Sequence, residues 1–356
     1  MLQSERQLKH QRVVKLLDEL NLDTVVLRKS PNTAWFSGSR VHVPNSLDSS
    51  CFDIVLSRDG YYFHTNNIEA PRLRAEELLV DDDLRSHPWW ISRDSLLPKG
   101  KGVGSDIKEA DREYIPQLDL LRMSVCPDEI NRLDKIATDS AAALFSLAPK
   151  IKPTQTELQV AGLITSALWE HELETVFLGV AGIDRVNKFR HPLPTNSTIG
   201  TQLSVSICAR RKGLIVSTTR IFSFEKISSE RSQEYVRLLN VEAALLEHTQ
   251  SGKLLSDAFK AGASEYANQG FASNEWHHHH QGGTTGYLPR ELVANADTHI
   301  EILDNQAFAW NPTASGLKAE STWIANKFEV KQLGSDSNWP HISVSNRLRP
   351  NILEIL

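Results

Sequence analysis

The 356-residue chain is 40% hydrophobic and 23% charged, the profile of a folded protein long enough for two domains. Its net charge of -5, with acidic and basic residues interspersed, offers no basic face for nucleic acid or an anionic membrane and leaves a small-molecule or peptide partner. No apolar run reaches the roughly 20 residues that cross a bilayer, and the opening MLQSERQLKH is charged where a signal peptide is apolar, so a cytoplasmic protein is expected.

In chain order, residues 4–20 place Leu8, Val13, Val14, Leu16 and Leu17 on one helical face, DTVVLRK reads as a strand and SPNTAWFSG as a turn. FDIVLSRDGYYFHT predicts a hairpin and EAPRLRAEELL a helix. Beyond residues 115–125 the texture changes to long helices. Asp128 is the expected cap of the first, with Ile130, Leu133, Ile136, Ala137 and Leu144 along its apolar stripe, and Thr154 or Thr156 caps the second. Strands are expected at 201–209, 213–222, 306–311 and 320–325, and further helices at 229–248 and 253–269. The domains expected are 1–120 and 121–356.

Three cysteines, Cys51, Cys126 and Cys208, form no CxxC pair, which argues against a disulfide framework and a zinc-thiolate site; Cys208, in an apolar run, reads as a small buried residue. The stretch EWHHHHQGGTTGY places four histidines, 277–280, before Gly282 and Gly283. Imidazole is the commonest metal ligand, so the run raises the question of a metal site and of the carboxylates that would complete it. The glycines serve either close backbone approach to a ligand or an ordinary turn.

The ordered pieces NTAWFSG, CPDEINRLDKIATDSAAAL, IKPTQTE, RHPLP, HHHHQGG, WNP and KAEST resemble the creatinase and aminopeptidase P group, peptidase family M24, over nearly the whole chain. The resemblance implies an α/β (α+β) fold: a creatinase-like N-terminal α/β domain followed by a pita-bread domain. In the family's peptidases that domain holds two metal ions on two aspartates, one histidine and two glutamates. Carried over position by position, SICARRKGLIVSTTR puts Ser206 and Ser217 where the aspartates belong, His280 matches the histidine through its His-x-x-Gly spacing, Asn311 replaces a glutamate and Glu320 keeps the last position. Two ions close together need carboxylates to offset their repulsion, and this set carries at most one negative charge. The expectation is no dinuclear centre and no cofactor, short of one weakly held divalent ion were a neighbouring histidine to join His280 and Glu320.

The same resemblance implies roles for other residues. His191 and Pro194 keep the family's His-x-x-Pro pattern, and creatinase itself works without metal through a histidine proton shuttle, which makes His191 the candidate acid/base. Tyr287 stands where the family often has another histidine and is a candidate hydrogen-bond donor to a carbonyl. Glu320 would orient a substrate group, its bland alternative being a salt bridge to Lys318 or Arg220. Arg210 and Arg211 are candidates for a substrate carboxylate, only one of which can face a pocket from a strand, and Arg290 and Asn311 complete the expected binding set. A serine nucleophile at Ser206 or Ser217 lacks the strained turn it would need. By resemblance the protein is a homodimer, with Arg40 and His42 the place to look for a contribution to a partner's site.

Three functions compete on this sequence. The first is an M24-fold hydrolase without the two-metal centre, cleaving a C–N or amide bond in a small or dipeptide-like substrate. The second is a divergent Xaa-Pro aminopeptidase or dipeptidase with a rearranged metal site. The third is a non-catalytic binding module.

Overall fold

The computed structural model describes residues 2–43, 47–334 and 336–356. The chain forms two compact units, Met1–Asp128 with Lys212–Leu214, and Glu129–Arg211 with Ile215–Leu356.

In the first unit, α1 (Gln3–Leu20) leads through Asn21, whose left-handed φ of 53° closes the helix, into β1 (Thr24–Lys29). SPNTAWFSG, expected as a turn, is instead the helix α2 (Ser30–Ser37). Pro31 lies in its first turn, where a missing N–H costs nothing, and Gly38 ends it at φ 68°, so the two residues that suggested a turn are a start and a stop. The hairpin expected next is present as β2 (Ser49–Ser57) and β3 (Tyr61–Asn66). EAPRLRAEELL is shorter in helix than expected: α3 (Ala70–Arg72) widens into a π turn over Leu73–Glu77. With β4 (Leu84–His87), β5 (Val103–Ser105) and β6 (Glu113–Tyr114) the strands make one sheet ordered β4-β3-β2-β1-β5-β6.

Next comes α4 (Pro127–Phe145), whose start at Pro127 places Asp128 inside the first turn instead of at the cap. Thr156 caps α5 (Glu157–Trp169) in a reciprocal box with Gln159, which settles the choice between Thr154 and Thr156. The sequence pattern gave no signal for β7 (Glu174–Gly182), because Gly179 and Gly182 interrupt its apolar run. At Gly182 a Cβ would meet the Ile199 carbonyl oxygen at 2.5 Å, so the glycine is required by close packing. After the short α6 (Ile183–Val186) come β8 (Gln202–Arg211) and β9 (Leu214–Ser223), joined through Lys212 and Gly213 at φ 48° and 86°, the left-handed pair a tight hairpin requires. Both strands are buried almost end to end, as strands covered on both faces are.

The helices α7 (Ser229–Glu247) and α8 (Leu255–Asn268) precede β10 (Gly282–Thr285), β11 (Leu292–Val293), β12 (Gln306–Trp310), β13 (Thr313–Ala314), β14 (Leu317–Lys318), β15 (Trp323–Ala325), β16 (Val330–Gln332), β17 (His341–Val344), β18 (Arg347–Pro350) and β19 (Leu353–Glu354). Two sheets organise this unit, β11-β10-β12-β15-β16 and β19-β9-β8-β7. One core cluster packs Leu245, Leu246 and Phe259 of the helices on Phe308, Trp310 and Trp323 of the first sheet. Among the described residues no helix is long and apolar enough to cross a membrane.

Candidate functional site

Strand alternation sets the floor of the site. Ser206 and Cys208 share one face of β8, and Ser217 and Thr219 share one face of β9. Ser206 Oγ and Thr219 Oγ1 are 2.7 Å apart, and Cys208 Sγ and Ser217 Oγ 3.3 Å apart. Thr219 Oγ1 donates to Glu320 Oε2 at 2.7 Å, which ties the floor to the segment after β14.

Glu320 is 4% exposed, and each of its oxygens carries a cation. Lys318 Nζ lies 2.8 Å from Oε2, and Arg290 Nη2 donates to Oε1 at 2.8 Å. The same cations reach the two serines: Lys318 Nζ donates to Ser206 Oγ at 3.4 Å and Arg290 Nη1 to Ser217 Oγ at 3.1 Å. Burial alone would raise the Glu320 pKa, but Lys318 and Arg290 more than reverse it and hold the carboxyl down at about 2. Glu320 is thus a permanent anion between two cations, and the cluster carries one net positive charge.

Around this cluster Phe177, His191, Cys208, His280, Pro289, Arg290, Asn311, Lys318 and Glu320 line a cavity of about 300 Å³. Asn311 is 2% exposed and its Oδ1 has no hydrogen-bond partner among the described residues. His191 remains solvent-accessible; burial of part of its ring and the charge of Lys318 lower its pKa. Burial and then Arg290 lower His280 to about 4, and burial and then Lys318 lower His279 to about 2. All three shifts favour the neutral imidazole. His279 Nε2 stands 2.9 Å from His191 Nε2, one ring donating and the other accepting. Burial raises the Cys208 thiol, so it offers no thiolate.

Of the residues expected at the site, His191, His280, Arg290, Asn311 and Glu320 line this cavity, and Ser206 and Ser217 accept hydrogen bonds from its Lys318 and Arg290. The others are engaged elsewhere. Buried Tyr287 donates its hydroxyl to the Glu129 carboxylate and does not line the cavity. At most one of Arg210 and Arg211 could face the pocket from a strand, and neither lines it: Arg210 pairs with Glu174 at 2.5 Å, and Arg211 with Asp139 at 2.7 Å. Arg40 belongs to the first unit, where it pairs with Glu76 and Glu77. Of the two salt-bridge partners considered for Glu320, Lys318 is used, whereas Arg220 pairs with Asp336 at 2.6 Å. Gly282 and Gly283 are neither a turn nor a ligand cradle. They lie in β10, where a Cβ would meet Ala309 and Leu292 carbonyl oxygens at 2.2 Å and 2.1 Å, so the close approach is to neighbouring strands.

Sequence reasoning missed Phe177, Cys208 and Pro289 as lining residues, and His279 as a neighbour of His191. Lys318 was readable: two residues before Glu320, it shares that residue's side in an extended segment.

The residues present do not fit two divalent ions. Ser206, Ser217 and Asn311, which the resemblance sets at ligand positions, carry no charge, and the one carboxylate beside them, Glu320, is paired by both Lys318 and Arg290. A second cation pair at Glu320 would have to displace both side chains against like charge.

The profile of metallopeptidase family M24 matches residues 132–331, a span containing every cavity-lining residue. No curated protein matches significantly. Among solved structures, the prolidase from Pyrococcus horikoshii OT3 is similar at 14% identity and a TM-score of 0.77, over 92% of this chain and 98% of that one. X-Pro aminopeptidase from Thermotoga maritima MSB8 is similar at 15% identity and 0.76, over 98% and 99%. The N-terminal domain of FACT complex subunit SPT16 from Cicer arietinum is similar at 12% identity and 0.69, over 94% and 97%. These likenesses identify the architecture as the pita-bread α/β fold.

Proposed function

The chain belongs to metallopeptidase family M24, and on that premise we propose that it is a hydrolase working without the family's dinuclear centre, cleaving a C–N or amide bond of a small substrate with His191 as acid/base. The observation that carries this reading is the double ion pairing of Glu320 by Lys318 and Arg290, which puts two fixed cations beside the serines of the degenerate ligand set.

In this reading Lys318 and Arg290 supply positive charge toward a substrate carbonyl, in a partly desolvated cavity where such charge acts strongly. Neutral His191 accepts a proton from water as the water oxygen bonds to the carbonyl carbon, and the developing oxyanion faces the cations. When the C–N bond breaks, protonated His191 returns that proton to the leaving nitrogen. His279 holds the His191 ring through their shared hydrogen bond, and the free Asn311 Oδ1 accepts from a substrate N–H. Dipeptide-like compounds are the first substrates to try, since solved relatives bear the names prolidase and X-Pro aminopeptidase. The reading keeps the homodimer that the resemblance implies and a cytoplasmic setting.

The test is hydrolysis of a panel of Xaa-Pro dipeptides, N-acyl amino acids and guanidino acids in excess EDTA, for the wild type and His191→Ala. Turnover insensitive to EDTA and reduced about 100-fold or more in H191A is expected. Turnover that requires added metal, or survives in H191A, would contradict it. Binding without turnover would favour the binding-module reading.

A further inference from the structure

Beside the Glu320 cluster, three imidazoles from two separate segments converge. His191 comes from the stretch after α6, and His279 and His280 from the stretch before β10. Ring centroids are 4.6 Å apart for His191 and His279, 4.6 Å for His279 and His280, and 5.4 Å for His191 and His280. One nitrogen from each ring lies within 4.8 Å of the other two. A second observation points the same way. Nδ1 of His280 is buried with no hydrogen-bond partner among the described residues, and His279 is only 7% exposed. Buried ring nitrogens without a partner are costly, and neutral imidazoles are in the state that donates a lone pair.

We propose that His191, His279 and His280 bind one divalent cation of the imidazole-preferring class, Zn²⁺ and its neighbours Co²⁺, Ni²⁺ and Cu²⁺. Three neutral nitrogens suit these ions and do not suit oxygen-preferring Mn²⁺ or Mg²⁺. Tetrahedral zinc–nitrogen bonds of about 2.0–2.1 Å set nitrogens about 3.3–3.4 Å apart, so the 2.9 Å contact between His191 and His279 opens by only about half an ångström. Three protein ligands leave a fourth position for water or a ligand group. The site is not the remnant of the two-metal centre, since His280 is the one ligand position it shares with that set. Lys318 and Arg290 weaken the affinity for a dication and Glu320 offsets part of their charge, which makes the site one that fills and empties with metal supply.

One consequence rests on the proposed function. A bound ion engages His191, so occupancy and proton transfer by His191 exclude each other, and metal inhibits where its relatives' resemblance would suggest activation. The binding itself does not depend on that reading.

The experiment is calorimetric titration of protein purified without an affinity tag with Zn²⁺, together with Co²⁺ titration followed by visible absorption. Exposed His277 and His278 could capture metal on their own, so His277→Ala/His278→Ala is the control. One equivalent is expected in the wild type and in this control, with the intense visible bands of tetrahedral cobalt, and at least tenfold weaker binding in His279→Gln and in His191→Gln. The latter changes an exposed side chain and so keeps the test valid should the buried variant fail to fold. No binding, two equivalents, loss of binding in the H277A/H278A control, or wild-type binding in H191Q would overturn the site. One equivalent of bound zinc that leaves EDTA-insensitive turnover unchanged would overturn the exclusion between metal and His191.

Discussion

Glu320 carries the electrostatics of the site, because it is the carboxylate that neutralises part of the charge on Lys318 and Arg290. Removing one member of a buried charge cluster costs more than the pair contributes, since the partners stay desolvated and uncompensated. Glu320→Gln is expected to destabilise the fold by about 3–5 kcal/mol in denaturant unfolding, and Glu320→Gln/Lys318→Met to recover part of that loss. A loss below about 1 kcal/mol would mean that the cations find other partners. At this scale the sequence was informative where spacing within a family pattern applied: His191, His280, Asn311 and Glu320 meet in one cavity, joined by Arg290. It was misleading where a long side chain had a nearer partner, as for Arg210 with Glu174, Arg211 with Asp139 and Tyr287 with Glu129. Those partners come from distant elements that no local pattern reveals.

Among the elements, regular helices with capping chemistry were legible and interrupted ones were not. Thr156 and Gln159 announce α5, whereas Gly179 and Gly182 hide β7, and the Pro and Gly that bound α2 imitate a turn. Side-chain pairing across strands was equally out of reach. His64 of β3 stacks on His87 of β4, with centroids 4.7 Å apart and neither Nδ1 hydrogen-bonded among the described residues. Burial, and then His87, lower the His64 pKa to about 4 from an ordinary 6.5. Between these values the unfolded chain takes up a proton that the folded one refuses, so stability falls as pH drops from about 6.5 to about 4. Urea midpoints measured across that range should decline in the wild type and decline less in His64→Phe, which keeps a stacked ring without a titrating nitrogen. Identical slopes would mean that this pair does not set the acid limb.

At the level of the whole molecule, fold and chemistry separate. The α/β pita-bread architecture follows from strand and helix order and is shared with structures only 12–17% identical, so the chemistry has to be argued from the site itself. Lys318 and Arg290 pair with Glu320 and reach Ser206 and Ser217, and on the proposed reading these two fixed cations stand in place of a two-metal centre. His191 and His280 line the same cavity and His279 touches His191, and the proposal is that these three imidazoles take a different and single ion. The most direct test is the metal content of tag-free protein equilibrated with Mn²⁺, an ion that favours oxygen ligands and discriminates against the histidine cluster. Far less than one equivalent is expected to be retained after desalting. Two equivalents of tightly held Mn²⁺ would contradict it, because they would require carboxylate ligands in place of the Lys318–Glu320–Arg290 cluster.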